Sequence, residues 1–158
     1  MRIDYLLNCP EHLATVAQWR HTEFGDLEPE VTLAQRCEKL RTTLRQDSIP
    51  LTVVALSDEG RPVGAASLFA KTITHAHLTP WLSAVVVPPD CRGQGIASAL
   101  SLRIADEAAR LGFAHLHLFT RRDGSLYSRL GWRAIDVSSH AGTAITVMVR
   151  SVSDRDVV

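Results

Sequence analysis

The sequence predicts a mixed fold of the α/β or α+β class, in which helices pack against a sheet. Short runs rich in β-branched residues alternate with longer segments in which apolar residues recur at helical spacing. One run, the three valines at 85–87, ends at two prolines and is followed, after a glycine-containing turn, by a long helical pattern. Because no repeat, low-complexity tract or linker interrupts the 158 residues, we expect one domain over residues 1–158.

The composition argues against several classes of protein. Seventeen Lys and Arg residues balance seventeen Asp and Glu residues, so we expect neither a general nucleic-acid binder nor a membrane-surface binder. Cys9, Cys37 and Cys91 are scattered and show no zinc-binding spacing, so we expect no metal and a reducing compartment. The N-terminus lacks a signal-peptide pattern, and no run reaches the ~18 apolar residues of a membrane span. The expected location is therefore cytoplasmic.

The first half of the chain predicts a strand, two helices and a hairpin. Residues 3–7 alternate as a strand does, and Pro10 suits the first turn of a helix that continues to about Phe24. An acidic, turn-rich break at 25–30 precedes a second helix over 32–46. The hairpin consists of β-rich runs at 51–56 and 62–70 around the turn at 57–60. The first helix carries Leu13, Val16, Ala17 and Phe24 at helical spacing, with Trp19 and Arg20 beside them.

The second half predicts a central strand, a long helix and a closing hairpin. The central strand ends at Pro88, and the long helix begins near Ile96 and ends before Gly112, a residue type that commonly follows a helix C-terminus. The remaining elements are a strand at 114–120, a short helix at 125–130, and hairpin strands at 132–137 and 144–150.

The turn between the central strand and the long helix is a predicted anion site. The first amides of a helix have no intrahelical acceptor, and the helix macrodipole places partial positive charge there. Gly93 and Gly95 let a ligand approach these amides, and Arg92 adds a guanidinium suited to phosphate oxygens. We expect a pyrophosphate against residues 94–97. Ser98 stands where the dinucleotide-binding fingerprint needs a third glycine, which leaves a nucleotide-binding protein as a remote alternative.

Two motifs together resemble the signatures of the GCN5-related N-acetyltransferase (GNAT) family. The first, Arg92-x-x-Gly95-x-Ala97 directly after Val-Val-Val-Pro-Pro, resembles its acyl-CoA-binding motif. The second, Leu-Tyr-Ser-Arg-Leu-Gly-Trp at 126–132, resembles its tyrosine-containing signature. The resemblance covers roughly residues 82–137. It implies a mostly antiparallel mixed sheet flanked by helices, in the order β-α-α-β-β-β-α-β-α-β-β, with a V-shaped split beside the central strand.

The resemblance also implies a cosubstrate, acetyl-CoA. In the family, the backbone of the central strand pairs with pantetheine, as a peptide adds to a sheet edge, and the following turn holds the pyrophosphate. Ala97 replaces the more frequent glycine of the motif, and Ser98 is either a phosphate donor or an ordinary first-turn serine. The implied cofactor-binding residues are Val85, Val86, Val87, Arg92, Gly93, Gln94, Gly95, Ile96, Ala97 and Ser98.

Tyr127 is the candidate catalytic residue. Attack of an amine on a thioester expels a thiolate, and a phenol of unperturbed pKa ~10 is matched to protonating it. The corresponding tyrosine of the family does this, whereas the alternative is a packing tyrosine on a short helix. In the family a backbone amide of the central strand, here that of Val85 or a neighbour, polarises the acyl carbonyl. Cys91 has no arranged histidine partner, so we expect no acyl-enzyme chemistry.

The sequence leaves open which group removes the proton from the amine. Many members of the family have a glutamate on or just before the central strand, but residues 79–84 contain no carboxylate. His75 and His77 lie in the preceding loop, and an imidazole pKa ~6.5 suits a base, although both can equally be solvent-facing loop residues. The other candidates are Asp123, Glu28, Glu30 and an ordered water chain.

Two functions from different classes fit these residues. The first is an acetyl-CoA-dependent N-acetyltransferase in which a primary amine attacks directly in a ternary complex, the acceptor being a small molecule or a peptide. The second is a non-catalytic acyl-CoA sensor or interaction module on the same fold, which the missing carboxylate keeps open. The edge of the closing hairpin is also suited to pairing in a homodimer.

Overall fold

The computed structural model of the chain describes residues 1–121 and 124–153. Asp123, one of the candidate bases, lies outside the described residues, as does the end of the chain from 154. The elements follow the predicted order, β-α-α-β-β-β-α-β-α-β-β. The strands are β1 Arg2–Tyr5, β2 Leu51–Leu56, β3 Pro62–Phe69, β4 Trp81–Val86, β5 His115–Thr120, β6 Arg133–His140 and β7 Thr143–Ser151. The helices are α1 Leu13–Phe24, α2 Leu33–Arg41, α3 Ile96–Arg110 and α4 Ser125–Arg129.

The seven strands form one mixed sheet in the order β1-β2-β3-β4-β5-β7-β6. Every neighbouring pair is antiparallel except β4 and β5, which are parallel. These two strands pair only at Trp81 opposite His117, and no further ladder contact joins them in the described part of the chain. The mostly antiparallel sheet and the split beside the central strand are therefore confirmed.

The helices cover both faces of the sheet. α3 packs on one face through Ile96, Leu100 and Ile104. α1 and α2 pack on the other face, where Val16 and Leu40 contact apolar residues of β2 to β4. Strand β2 is buried along its whole length for this reason, and each fully buried aliphatic side chain contributes about 1.5–3 kcal/mol. No helix in the described ranges has the length and apolar character needed to cross a membrane.

Helix α3 is held at its C-terminal half by the buried carboxylate of Glu107. This carboxylate accepts hydrogen bonds from the Tyr5 hydroxyl at 2.7 Å, from Arg103 Nε at 3.0 Å and from Arg110 Nη2 at 2.6 Å. Burial alone raises the pKa of Glu107, but the hydrogen bonds from Arg110, Tyr5 and Arg103 outweigh it and hold the pKa below its ordinary value. At the opposite end, α3 packs through Ile96 into the same core cluster as Leu82 of β4.

Several boundaries differ from the prediction. Helix α2 ends at Arg41 instead of 46, because the hydroxyls of Thr42 and Thr43 each bond back to a carbonyl three residues earlier, at 2.6 Å. Strand β1 ends at Tyr5, after which 3-10 turns lead into α1 at Leu13. Strand β6 extends to His140, because its last residues continue the ladder with β7. Periodicity registers neither the hydroxyl bonds that follow α2 nor the ladder that extends β6.

Candidate active site

The gap between β4 and β5 opens into a cavity of about 990 Å³. We call its side formed by residues 85–98 the turn wall. We call its side formed by lining residues within 17–40 and 69–73 the helix wall; these come from α1, α2, the turn between them and the end of β3 with the residues after it. The other lining residues are at 82–84, 118–121, 124–127 and 129. Of the predicted site residues, all except Gln94 line the cavity: Val85, Val86, Val87, Arg92, Gly93, Gly95, Ile96, Ala97, Ser98 and Tyr127.

A β-bulge in β4 begins the split. Ser67 pairs with Ser83 and Ala65 pairs with Val86, so β4 has one residue more than β3 over this stretch. Ala84 takes up the excess with φ of 54°, a left-handed conformation that costs an alanine about 1–2 kcal/mol. Bulges bend a strand and redirect its backbone groups. Here the bulge lies where β4 parts from β5, and strain of this kind is typical of functional sites.

The turn wall places the start of α3 at the cavity. Gly93 and Gly95 have φ of 78° and 77°, and a Cβ at either position would meet no heavy atom within 4 Å. Glycine is thus needed for the backbone conformation, and it leaves open space in front of the amides. The first intrahelical bond runs from the Ala99 amide to the Gly95 carbonyl at 3.0 Å, and no side chain caps the helix among the described residues. The amides of residues 96–98 therefore remain available to a ligand.

Arg92 and Cys91 are two further side chains of the turn, and they differ in the chemistry they can provide at the cavity. The guanidinium of Arg92 donates from Nε to the Val87 carbonyl at 3.0 Å and lies 3.5 Å from a carboxylate oxygen of Glu23, so it reaches from the turn towards α1. Cys91 is buried next to the turn. Burial raises the pKa of the Cys91 thiol, and the Asp90 carboxylate raises it further, which disfavours a thiolate nucleophile.

Tyr127 reaches the cavity from the short helix α4. Gly124, with φ of 80°, precedes this helix and lies so close to Met148 that a Cβ there would come within 2.9 Å of the sulfur. The Tyr127 ring packs edge-on against Trp132 with centroids 6.1 Å apart, and the Trp132 amide donates to the Tyr127 carbonyl at 3.0 Å. The Leu-Gly-Trp end of the second motif thus supports the position of the tyrosine. Its chemical role stays a prediction.

Some of the candidate bases line the cavity and others do not. His75 and His77 are not among the residues that line the cavity. His75 instead bonds to Asp136 on β6 and to the Thr74 hydroxyl, both at 2.6 Å. Glu30 also lies outside the lining, whereas Glu28 is part of it. Glu23, which the sequence analysis did not single out, contributes the other carboxylate among the described lining residues.

The helix wall contains charged residues that the sequence analysis did not identify as site residues. Arg20 lies on α1 with 8% of its surface exposed and donates from Nε to the Ala84 carbonyl at 3.1 Å. Burial lowers the pKa of Arg20 to about 9, which leaves the guanidinium charged at neutral pH. The sequence contained a signal for the burial of Arg20, because this residue follows Val16 and Ala17 by four and three residues and therefore shares their buried helix face. The other cations of this wall are Arg36, Lys39 and Lys71.

Comparisons with known proteins agree with this geometry. A family model described as the acetyltransferase (GNAT) family matches residues 13–132. An aminoglycoside 6'-N-acetyltransferase complexed with coenzyme A is 15% identical, with a TM-score of 0.74 over 96% of this chain and 97% of that one. A GCN5-related N-acetyltransferase from Kribbella flavida is 19% identical, with a TM-score of 0.70 over 95% and 96%. N-acetylglutamate synthase from Neisseria gonorrhoeae, complexed with coenzyme A and N-acetyl-glutamate, is 17% identical, with a TM-score of 0.64 over 96% of this chain and 35% of that one.

No curated protein matches the sequence. At these identities the solved structures establish the fold, and the family model, which spans the two motifs, establishes the family resemblance.

Proposed function

The chain belongs to the acetyltransferase (GNAT) family, and from this premise we propose that it is an acetyl-CoA-dependent N-acetyltransferase acting on a primary amine. One observation carries the proposal: the uncapped start of α3, the open edge of β4 and the Tyr127 side chain line the same cavity. An anion site, an unpaired strand edge and a proton donor are what a phosphate-bearing thioester carrier requires.

The turn wall supplies the binding interactions in this proposal. The amides of residues 96–98 and the Arg92 guanidinium hold the pyrophosphate of CoA. The edge of β4 at residues 85–87, which β5 leaves unpaired, bonds the amides of pantetheine. The thioester then lies near the bulge at Ala84, where the amide of Val85 or a neighbour donates to the acyl oxygen.

Direct transfer of the acyl group from the thioester to the amine, in a ternary complex, requires few groups of the protein. The amine nitrogen attacks the acyl carbon, the carbon–sulfur bond breaks, and the Tyr127 phenol donates its proton to the departing sulfur. The proton that the amine loses passes to Glu23, to Glu28 or to an ordered water chain, since β4 itself carries no carboxylate. Much of the rate enhancement comes from holding amine and thioester together.

The acceptor is a small-molecule or peptide amine. The aminoglycoside acetyltransferase and the N-acetylglutamate synthase named above share this fold, and their names indicate different acceptors. The fold therefore does not determine which amine is the acceptor. We infer that the side chains of the helix wall determine which amine binds as the acceptor.

Calorimetry with CoA, followed by an acetyl-transfer assay over a panel of amines, tests the proposal. We expect saturable binding of one CoA per chain and release of free thiol with at least one amine. Absence of CoA binding at about 1 mM ligand, an affinity weaker than about −4 kcal/mol, would overturn the proposal. Binding of CoA without transfer to any amine would favour the alternative function, a non-catalytic acyl-CoA sensor.

A further inference from the structure

Arg20 is a buried cation that forms no ion pair with any residue the structure describes. Its Nε donates to the Ala84 carbonyl, but its Nη2 is buried and has no hydrogen-bond partner within residues 1–121 and 124–153. A buried charge is unfavourable unless it is paired and hydrogen-bonded. The side chain nevertheless forms part of the cavity wall. A buried, incompletely satisfied guanidinium beside a cavity is suited to an anion brought by a ligand.

That anion is not the pyrophosphate of the proposed cosubstrate. Arg20 is bonded to Ala84, at the bulge, and the predicted phosphate site lies beyond the other end of the strand, after Pro88 and the glycine turn. The four residues of extended chain from Ala84 to Pro88 span about 13 Å. Arg20 therefore lies at the end of the cavity where the acyl group and the acceptor meet.

The helix wall as a whole carries more positive than negative charge. Its lining includes four cationic side chains, Arg20, Arg36, Lys39 and Lys71, against two carboxylates, Glu23 and Glu28. Arg36 bonds to His21 Nδ1 at 3.1 Å, and the Lys39 ammonium lies 4.9 Å from the centre of the Phe69 ring. In the described part of the chain none of the four cations forms an ion pair, whereas Glu23 lies 3.5 Å from Arg92 of the turn wall.

This concentration of positive charge is local, because the whole chain has equal numbers of acidic and basic residues. A cavity wall with excess positive charge attracts anions and repels polycations. A polyamine acceptor would bring several positive charges against this wall. An amine that also carries a carboxylate would bring its ammonium group and one negative charge that the wall can pair.

We propose that the acceptor is an amino acid or a similar amine bearing a carboxylate, and that Arg20 holds this carboxylate while the amine faces the thioester. The inference rests on the proposed function and specifies its substrate class. The same guanidinium binds the Ala84 carbonyl through Nε and the acceptor through its Nη atoms, so it fixes the acceptor relative to the bulge. Arg20 is thus a specificity-determining residue of the site.

The test compares amino acids with their carboxamides, which keep size and amine but lose the negative charge. For the wild-type protein we expect kcat/KM to be at least about tenfold higher for the acid than for its amide, as for a hydrogen bond to a charged group. In Arg20→Met this ratio should fall to near one, and Arg20→Lys should restore part of it. Arg45→Met, which removes an exposed arginine outside the cavity, should leave the ratio unchanged.

Two outcomes would overturn the inference while leaving acetyl transfer intact. One is a wild-type preference for amides or polyamines. The other is an equal loss for acids and amides in Arg20→Met, which would assign Arg20 only the structural task of holding the bulge. Calorimetric titration of N-acetylated amino acids and their amides into the CoA-bound protein gives a readout independent of turnover. Binding of acids that depends on Arg20 would support the anion site even without transfer, and equal or absent binding of both would refute it.

Discussion

The two walls of the cavity are built by different means. The turn wall presents backbone: an unpaired strand edge, two glycines in the left-handed conformation, and helix amides without a cap. The helix wall presents side chains, both apolar and charged, from α1, α2, the turn between them and the end of β3 with the residues after it. A wall made of backbone suits a ligand that is the same for every acceptor, such as the phosphates and amides of CoA. A wall made of side chains can be altered residue by residue, which is what acceptor specificity requires.

The difference predicts that substitutions on the two walls separate into two kinetic classes. Changes in the turn wall should weaken CoA binding and leave the preference among acceptors unchanged. Changes in the helix wall should alter that preference and leave CoA affinity unchanged. A substitution in one wall that changes both properties would break the division.

The largest effect is expected at Tyr127, which lines the cavity from α4 and belongs to neither wall. Tyr127→Phe keeps the packing against Trp132 but removes the proton for the departing sulfur, so kcat should fall by about 10²–10⁴-fold. CoA affinity should stay within about twofold. Steady-state kinetics and calorimetry measure the two quantities. Ser128→Ala, at the exposed neighbour on α4, is the control and should retain wild-type kcat. Full activity of Tyr127→Phe would make residue 127 a packing residue only.

An intermediate effect is expected in the turn wall, at Gly95. Gly95→Ala strains a residue at φ of 77° and places a methyl group in the space in front of the helix amides, so the Kd for CoA should rise about tenfold. Gly60→Ala is a matched control, since φ there is 81°, a Cβ again meets nothing within 4 Å, and Gly60 is not among the described residues that line the cavity.

Both glycine variants should lose about 1 kcal/mol of stability in thermal unfolding, because the left-handed strain is the same. Only Gly95→Ala should lose CoA affinity in calorimetry. Equal CoA affinities for the two variants would mean that the turn wall does not bind the phosphates.

The smallest effect concerns His117, whose pairing with Trp81 is the one ladder contact between β4 and β5 in the described ranges. Burial lowers the pKa of His117, although the bond between its Nδ1 and the Pro80 carbonyl, at 3.0 Å, opposes this. The unfolded chain therefore takes up a proton as the pH falls through about 6.5 while the folded chain does not, and the free energy of unfolding falls towards acid pH.

His117→Gln cannot titrate, so its melting temperature should fall less than that of the wild type between pH 7.5 and pH 5.5. This difference between the two proteins in the pH dependence of the melting temperature should be the smallest of the three effects. His115→Gln, at an exposed neighbour on β5, should keep the wild-type pH dependence. An identical pH dependence in His117→Gln would show that another group governs acid stability.

The turn wall and the order of the elements could be predicted from the sequence, because their determinants are local. Two prolines end a strand, and glycines at 93 and 95 precede a helical pattern within a few residues. The helix wall could not be predicted in the same way, because Arg20, Lys39 and Lys71 come together only when α1, α2 and β3 pack. His75 illustrates the same limit, since its partner Asp136 is 61 residues away on β6.

A crystal structure with CoA bound tests most directly whether the start of α3 and the open edge of β4 form the cosubstrate site. We expect pyrophosphate oxygens at about 3 Å from the amides of Ile96, Ala97 and Ser98. We expect pantetheine alongside residues 85–87, with its sulfur near the bulge and facing Tyr127. CoA bound elsewhere on the molecule, or side chains filling the path from the turn to the bulge, would contradict the assignment.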